Sequence, residues 1–265
     1  MSDDINQELL TVNGLTKFFK GLRAVNNVNL RLKKGEILGI IGPNGAGKTT
    51  IFNLLTGNTT PTSGTIIFNG ENITKKSPDS IARLGIGRTF QNIRLFQTLS
   101  VLENVQIGLQ VNIREPFAST LITAPSFIRK ERNLESRAME LLALFNLEQY
   151  ADRLAVGLSY GDQRRLEIVR ALALQPKLLF LDEPVAGMNP YERAEVIKLT
   201  RRIREQYNLT IIIVEHNMPL VMELCERIQV LNYGETIAEG SPEEIRSNPL
   251  VIEAYLGKVD SYAEA

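Results

Sequence analysis

The chain has 265 residues but a single cysteine and a single histidine, and its 30 Lys plus Arg cancel its 30 Asp plus Glu to leave no formal net charge. One cysteine, Cys225, excludes an intrachain disulfide. Among helix-forming neighbours it reads as a small buried side chain in a reducing compartment, not a reactive thiol. One histidine and one distant cysteine supply too few ligands for a zinc site. The balanced charge removes the global basic field that draws proteins onto nucleic acid, so nucleic acid is not an expected partner. No run of about 18 consecutive apolar residues occurs. The opening stretch MSDDINQELL is acidic and carries no apolar core segment. Neither a spanning segment nor a secretory leader is expected.

What is present is 43% hydrophobic residues, ample for the core of one large α/β domain or two small ones. Val28, Leu30 and Leu32 alternate with Asn29 and Arg31, and Ile66 to Phe68 lies between Gly64 and Gly70, which predicts an antiparallel strand layer. From Val101 to about Leu174 the pattern is helical, with Ser100 as a predicted N-cap. Within it, Glu115 to Ser126, with Pro116 and Pro125, reads as a surface loop. Leu178 to Leu181 and Ile211 to Val214 are apolar runs without alternation, as in parallel strands covered on both faces. Pro190 to about Tyr207 reads as a crossover helix between them. The region from Ile228 to Glu239 reads as a hairpin, followed by short helices near Pro242 and Pro249.

The densest signal is Gly42-Pro43-Asn44-Gly45-Ala46-Gly47-Lys48-Thr49-Thr50, directly after the apolar run ending in Ile40 and Ile41. A strand running into a glycine-rich loop and then a helix makes a phosphate cradle, because glycines let backbone N–H groups turn inward around phosphate oxygens. Lys48 supplies a point charge for the outer phosphates and Thr49 a hydroxyl for magnesium. The helix directs its positive end at the same anion. In an open parallel sheet ligands bind beyond the carboxyl ends of the strands. Asp182 and Glu183 follow one such end, and Glu215 and His216 another. Magnesium would answer the buried charge of Asp182. Strand alternation then turns Glu183 elsewhere, to orient and deprotonate a water. The plainer alternatives are that both carboxylates cap the next helix and that the lone His216 is structural.

A further segment, Leu158-Ser159-Tyr160-Gly161-Asp162-Gln163, precedes helix-forming RRLEIVRALAL. Alone, it allows Ser159 to be an ordinary helix N-cap. In this order and spacing with Gly42 to Thr49, Leu178 to Glu183 and His216, it makes the chain resemble the ABC-transporter ATPase family from about Leu9 to Gly257. The resemblance implies an α/β P-loop NTPase of RecA-like type within residues 1–257. The mainly parallel core would comprise 1–91 and 171–257 with an N-terminal antiparallel β layer, the inserted α-helical subdomain 92–170, and 258–265 a tail. It also implies ATP and Mg2+ as ligands. Phe19 would stack on adenine, with Phe18 competing, and Gln91 would approach magnesium and link the core to the helical insertion. Ser159, Gly161 and Asp162 would contact nucleotide held by a partner's phosphate loop, and Ala186 to Pro190 would cross the dimer seam. Tyr160, Asp162 and Asn189 depart from the commonest family motifs.

The partners implied are a second ATPase subunit, identical or homologous, two membrane permeases docking near Gln91 to Val105, and indirectly a periplasmic solute-binding protein. The location implied is peripheral, on the cytoplasmic face of the bacterial inner membrane. GIGRTFQNIRLFQTLSVLENV, LSYGDQRRLEIVRAL, LDEPVAGMNP and VIEAYLG, with the long stretch between Leu109 and Lys130, resemble ATPases of branched-chain and neutral amino-acid uptake. Relatives serving urea uptake or lipopolysaccharide extraction share most of these motifs. A soluble ABC ATPase would be expected to add a coiled coil, a duplication or a basic face. A small-molecule kinase has no use for Leu158 to Gln163.

Overall fold

A computed structural model describes residues 8–111 and 125–256, with side chains from 131 to 255 in the second stretch. In chain order the elements are β1 (Glu8–Phe19), β2 (Leu22–Lys33), β3 (Ile37–Ile41), α1 (Lys48–Leu55), β4 (Ser63–Phe68), β5 (Glu71–Asn72), α2 (Pro78–Arg83) and β6 (Ile86–Arg88). Then come α3 (Val101–Gln110), α4 (Pro125–Leu144), α5 (Tyr160–Ala173), β7 (Leu178–Asp182), α6 (Pro190–Tyr207) and β8 (Thr210–Val214). The chain continues through α7 (Met218–Leu224), β9 (Arg227–Asn232), β10 (Glu235–Gly240), α8 (Pro242–Ser247) and α9 (Pro249–Leu256). They divide into two compact units, one of Met1–Ile81 with Arg204–Ala265 and one of Ala82–Ile203. Among the described residues no helix is long and apolar enough to cross a membrane.

In the first unit, β3 lies between parallel neighbours β8 and β9, and β10 pairs antiparallel beyond β9. Every residue of β3 and β8 is buried, which is why neither shows polar alternation in sequence. A second, antiparallel sheet has the order β2-β1-β4-β5. The fully buried Gln229 of β9 joins the two layers by donating from Nε2 to the Asn29 carbonyl at 2.7 Å. The predicted strands at Val28 and Ile66 are present. The 12-residue β1 was not foreseen. Its pairing with β2 shifts register four times between Glu8 and Phe18, and each shift interrupts the alternation by which a half-buried strand is recognised.

In the second unit β6 and β7 pair in parallel, Ile86 opposite Leu178 and Arg88 opposite Phe180. The helices α3, α4 and α5 pack on one another around Val105, Leu142, Phe145, Leu166 and Val169, all nearly inaccessible to solvent. Ser100 is the predicted N-cap of α3 and forms a full capping box. It accepts from the Glu103 N–H at 3.1 Å, while its own N–H donates to the Glu103 carboxylate at 2.7 Å. Helices start at Pro242 and Pro249 as expected. The predicted loop from Glu115 lies outside the described residues up to 124, and Pro125 opens α4. Gly257 and the tail 258–265 also lie outside them.

Cys225 ends α7, 5% exposed, with its Sγ against Gly39 of β3, where an added Cβ would come within 2.9 Å. Burial, reinforced by the carboxylates of Glu215 and Glu226, pushes the thiol up to about 12. The reactive thiolate is therefore scarce at pH 8. The folded protein should resist iodoacetamide at that pH and take up one equivalent only on denaturation. Rapid alkylation of the native chain, read by mass spectrometry, would contradict this burial.

Candidate nucleotide site

The loop after β3 is shaped by contacts that exclude side chains. Gly42 has φ 152° and Gly47, the N-cap of α1, has φ 101°. A Cβ would lie 2.2 Å from the Leu231 carbonyl at Gly42 and 2.6 Å from the Ala24 carbonyl at Gly47. The Ala46 N–H donates to the Pro43 carbonyl at 3.1 Å, and the Gly234 N–H donates to the Ala46 carbonyl at 3.0 Å. Lys48 is 9% exposed, and its Nζ donates to the Gly42 and Pro43 carbonyls at 2.6 and 3.0 Å. The ammonium is thus tethered across the loop it would serve. Asn44, Gly45 and Thr49 are exposed and Thr50 is half-buried. The first turn of α1 carries no acidic residue to compete with an anion for the helix N-terminus.

The C-terminal helix also reaches this loop, which the sequence did not suggest. Tyr255 of α9 hydrogen-bonds the Gly42 backbone, and burial nevertheless holds its hydroxyl above the usual phenol range. A cavity of about 410 Å³ lies between Pro43 to Ala46 and Leu250, Glu253 and Ala254. Phe18 and Phe19 end β1 with equal exposure, 44%. Lys17 sets its ammonium 5.0 Å from the Phe19 ring centre. Beyond β8, buried Glu215 accepts from the backbone N–H groups of His216 and Asn217, both at 3.1 Å. Asn217 caps α7. That turn leaves the His216 side chain exposed.

In the second unit, β7 carries Asp182 as its last residue, 2% exposed. Burial raises its carboxyl above the ordinary carboxylate range, and the Arg88 guanidinium beside it opposes the rise. Arg88 Nη2 donates to Asp182 Oδ2 at 3.1 Å. The buried charge therefore has a protein cation from β6, a partner that sequence reasoning missed. Glu183 does not turn away by strand alternation as expected. The strand has ended, and Glu183 takes a left-handed backbone, φ 48°, that redirects the chain before Pro184. Neither carboxylate caps α6. Asn189 does so: its Oδ1 accepts from the Glu192 N–H at 3.0 Å, and its own N–H donates to Glu192 Oε2 at 2.9 Å. This gives the departure at Asn189 a local function.

Ser159 caps α5 with extended backbone, exposed, its Oγ accepting from the Asp162 N–H at 3.2 Å and donating to Asp162 Oδ2 at 2.7 Å. Asp162 is also ion-paired with Arg165. Gly161 lies beside Glu192, whose Oε1 would be 3.1 Å from an added Cβ. The Gln91 side chain is exposed, while its carbonyl is bonded to buried Arg164. Arg164, Glu167 and Arg170 recur every third residue among apolar neighbours in RRLEIVRALAL. That one-faced charge stripe was the overlooked signal.

A family model described as "ABC transporter" matches residues 25–186, and one described as "Branched-chain amino acid ATP-binding cassette transporter" matches residues 235–261. The chain is 48% identical over 254 residues to the high-affinity branched-chain amino acid transport ATP-binding protein LivG of Escherichia coli K12, covering 96% of this chain and 100% of that protein. Among solved structures it is similar to MJ1267, an ATP-binding cassette of an ABC transporter. The TM-score is 0.82 at 32% identity, over 95% of this chain and 100% of that one. It is also similar to the ATP-binding cassette MJ0796, in a dimeric post-hydrolysis state bound to ADP and Pi. There the TM-score is 0.76 at 28% identity, over 88% and 98%.

Proposed function

Because this chain belongs to the ABC transporter family of ATP-binding cassettes, we propose that it hydrolyses ATP to energise an importer of branched-chain amino acids. The 48% identity to LivG across that protein's whole length carries the substrate class. Two such cassettes close over nucleotide at the cytoplasmic face of the membrane, where they engage two permease subunits served from the other side by a periplasmic solute-binding protein. Residues 1–257 act as one cassette, with 92–170 as the helical insertion through which the permeases engage.

Each residue role belongs to the same proposal. The glycine cradle has no room for a Cβ at Gly42 and Gly47, which fits backbone N–H groups closing on phosphate oxygens. Pro43, Asn44, Gly45, Ala46 and Thr50 complete that wall. Lys48 exchanges its carbonyl partners for the outer phosphates, and Phe19 offers a stacking face to adenine. Thr49, Gln91 and Asp182 suit a hard cation, being oxygen donors, and would hold magnesium. When bound, the ion neutralises charge on the outer phosphates. Glu183 accepts a proton from the water that attacks the terminal phosphorus as ADP leaves. His216 donates to a terminal phosphate oxygen, so charge that builds there meets fixed donors. Ser159, Gly161 and Asp162 serve nucleotide held by the partner cassette.

Uptake of labelled leucine, isoleucine, valine and urea in cells lacking this subunit tests the reading. Loss of branched-chain uptake, restored by the intact chain, is expected. Loss confined to urea would overturn the substrate class.

A further inference from the structure

Residues 89–99, between β6 and α3, lie in no helix or strand, so most of their backbone polar groups have no ladder to join. Near its ends the segment finds backbone partners, the Thr89 N–H donating to the Phe180 carbonyl at 2.9 Å and the Leu99 N–H to the Phe96 carbonyl at 3.1 Å. At Phe90, Gln91, Arg94 and Phe96 side chains serve instead. From α5, Glu167 Oε1 accepts from the Phe90 N–H at 3.3 Å and the Arg94 N–H at 3.2 Å. Arg164 Nη1 donates to the Phe90 carbonyl at 2.6 Å, and Nη2 to the Gln91 carbonyl. From α3, fully buried Asn104 accepts from the Phe96 N–H at 2.9 Å and donates to the Phe96 carbonyl at 3.0 Å.

Arg164 and Glu167 are 3% and 1% exposed and 3.2 Å apart. A buried ion pair is a poor way to gain stability, since desolvation offsets most of the attraction. This one also leaves the buried Arg164 Nε–H without a hydrogen bond among the described residues, while both Nη groups engage the segment. Such an arrangement is suited to holding geometry. A third anchor lies at the start of α5. The Tyr160 hydroxyl, where the commonest family motif has glycine, accepts from Arg164 Nη2 at 3.1 Å. Its ring lies on Gly187, where a Cβ would meet Cε1 at 3.1 Å.

We propose that Arg164 and Glu167 are positioning residues that lock the backbone bearing Gln91 to the helix opening at Ser159, and that Tyr160 extends the lock to the turn at Gly187. The Gln91 segment, the Ser159 helix start and that turn then move as one piece. A displacement at any of them is carried to the other two. The inference rests on the proposed role of Gln91 only for its effect on hydrolysis.

The test uses the assembled transporter with a spin label on exposed Asn92 introduced as Asn92→Cys, buried Cys225 remaining unlabelled. Arg164→Lys keeps a charge beside Glu167 but cannot bridge two carbonyls. It should free the label and lower kcat on the order of tenfold with the KM for ATP nearly unchanged. Tyr160→Phe keeps the ring on Gly187, alters an exposed site and should shift both readouts in the same direction, less far. An unchanged spectrum in Arg164→Lys, or in Tyr160→Phe if the former does not fold, overturns the lock. A freed label with undiminished turnover upholds the lock and removes Gln91 from hydrolysis.

Discussion

Glu183→Gln lowers ATP hydrolysis by about 10²–10⁴-fold, the range by which a positioned general base accelerates such a step, while nucleotide affinity stays close to that of the parent. The substitution preserves shape and hydrogen-bonding reach and removes only the ability to take a proton from water. It leaves the left-handed backbone at Glu183, φ 48°, to the same side-chain type, so folding should be unaffected. With chemistry blocked and binding intact, the cassettes remain closed over ATP. Gel filtration with ATP and magnesium should show a dimer retaining unhydrolysed nucleotide. Turnover within about threefold of the parent would remove Glu183 as the base.

Lys48→Ala produces the opposite failure. Hydrogen bonds to a charged group contribute about 1.5–3 kcal/mol, so losing the ammonium should weaken ATP binding roughly ten- to a hundredfold. The same change strips the Gly42 and Pro43 carbonyls of a donor at 2.6 and 3.0 Å, which loosens the loop before any ligand arrives. Lys48→Arg separates the two effects, because it restores charge and donors but exceeds the space of a side chain only 9% exposed. Isothermal titration with a nonhydrolysable ATP analogue reads both variants. Parent-like affinity in Lys48→Ala would detach the loop from triphosphate recognition.

Legibility in the sequence followed the range of the interaction. The cradle from Gly42 to Thr50 was readable because its strand, turn and helix are contiguous, and the positive φ values at Gly42 and Gly47 are what glycine signals. The N-cap at Ser100 was legible for the same reason, the backbone N–H it accepts from lying three residues on; the reciprocal bond from Glu103 came with the structure. The strand β1 was not, because bulges broke its period. Glu183 was placed by an alternation that stops one residue earlier than assumed.

The sequence alone determined the glycine-rich loop from Gly42 to Thr50, which depends on residue types at short, fixed spacing, and the family resemblance, which depends on the order of several such motifs along the chain. Only the tertiary structure decided that Arg88 neutralises Asp182 across 94 positions, that Arg164 and Glu167 hold backbone more than 70 positions away, and that Tyr255 reaches Gly42. A charge or hydroxyl has no sequence period that names its partner. That choice is made by which backbone groups the packed helices and strands leave without water.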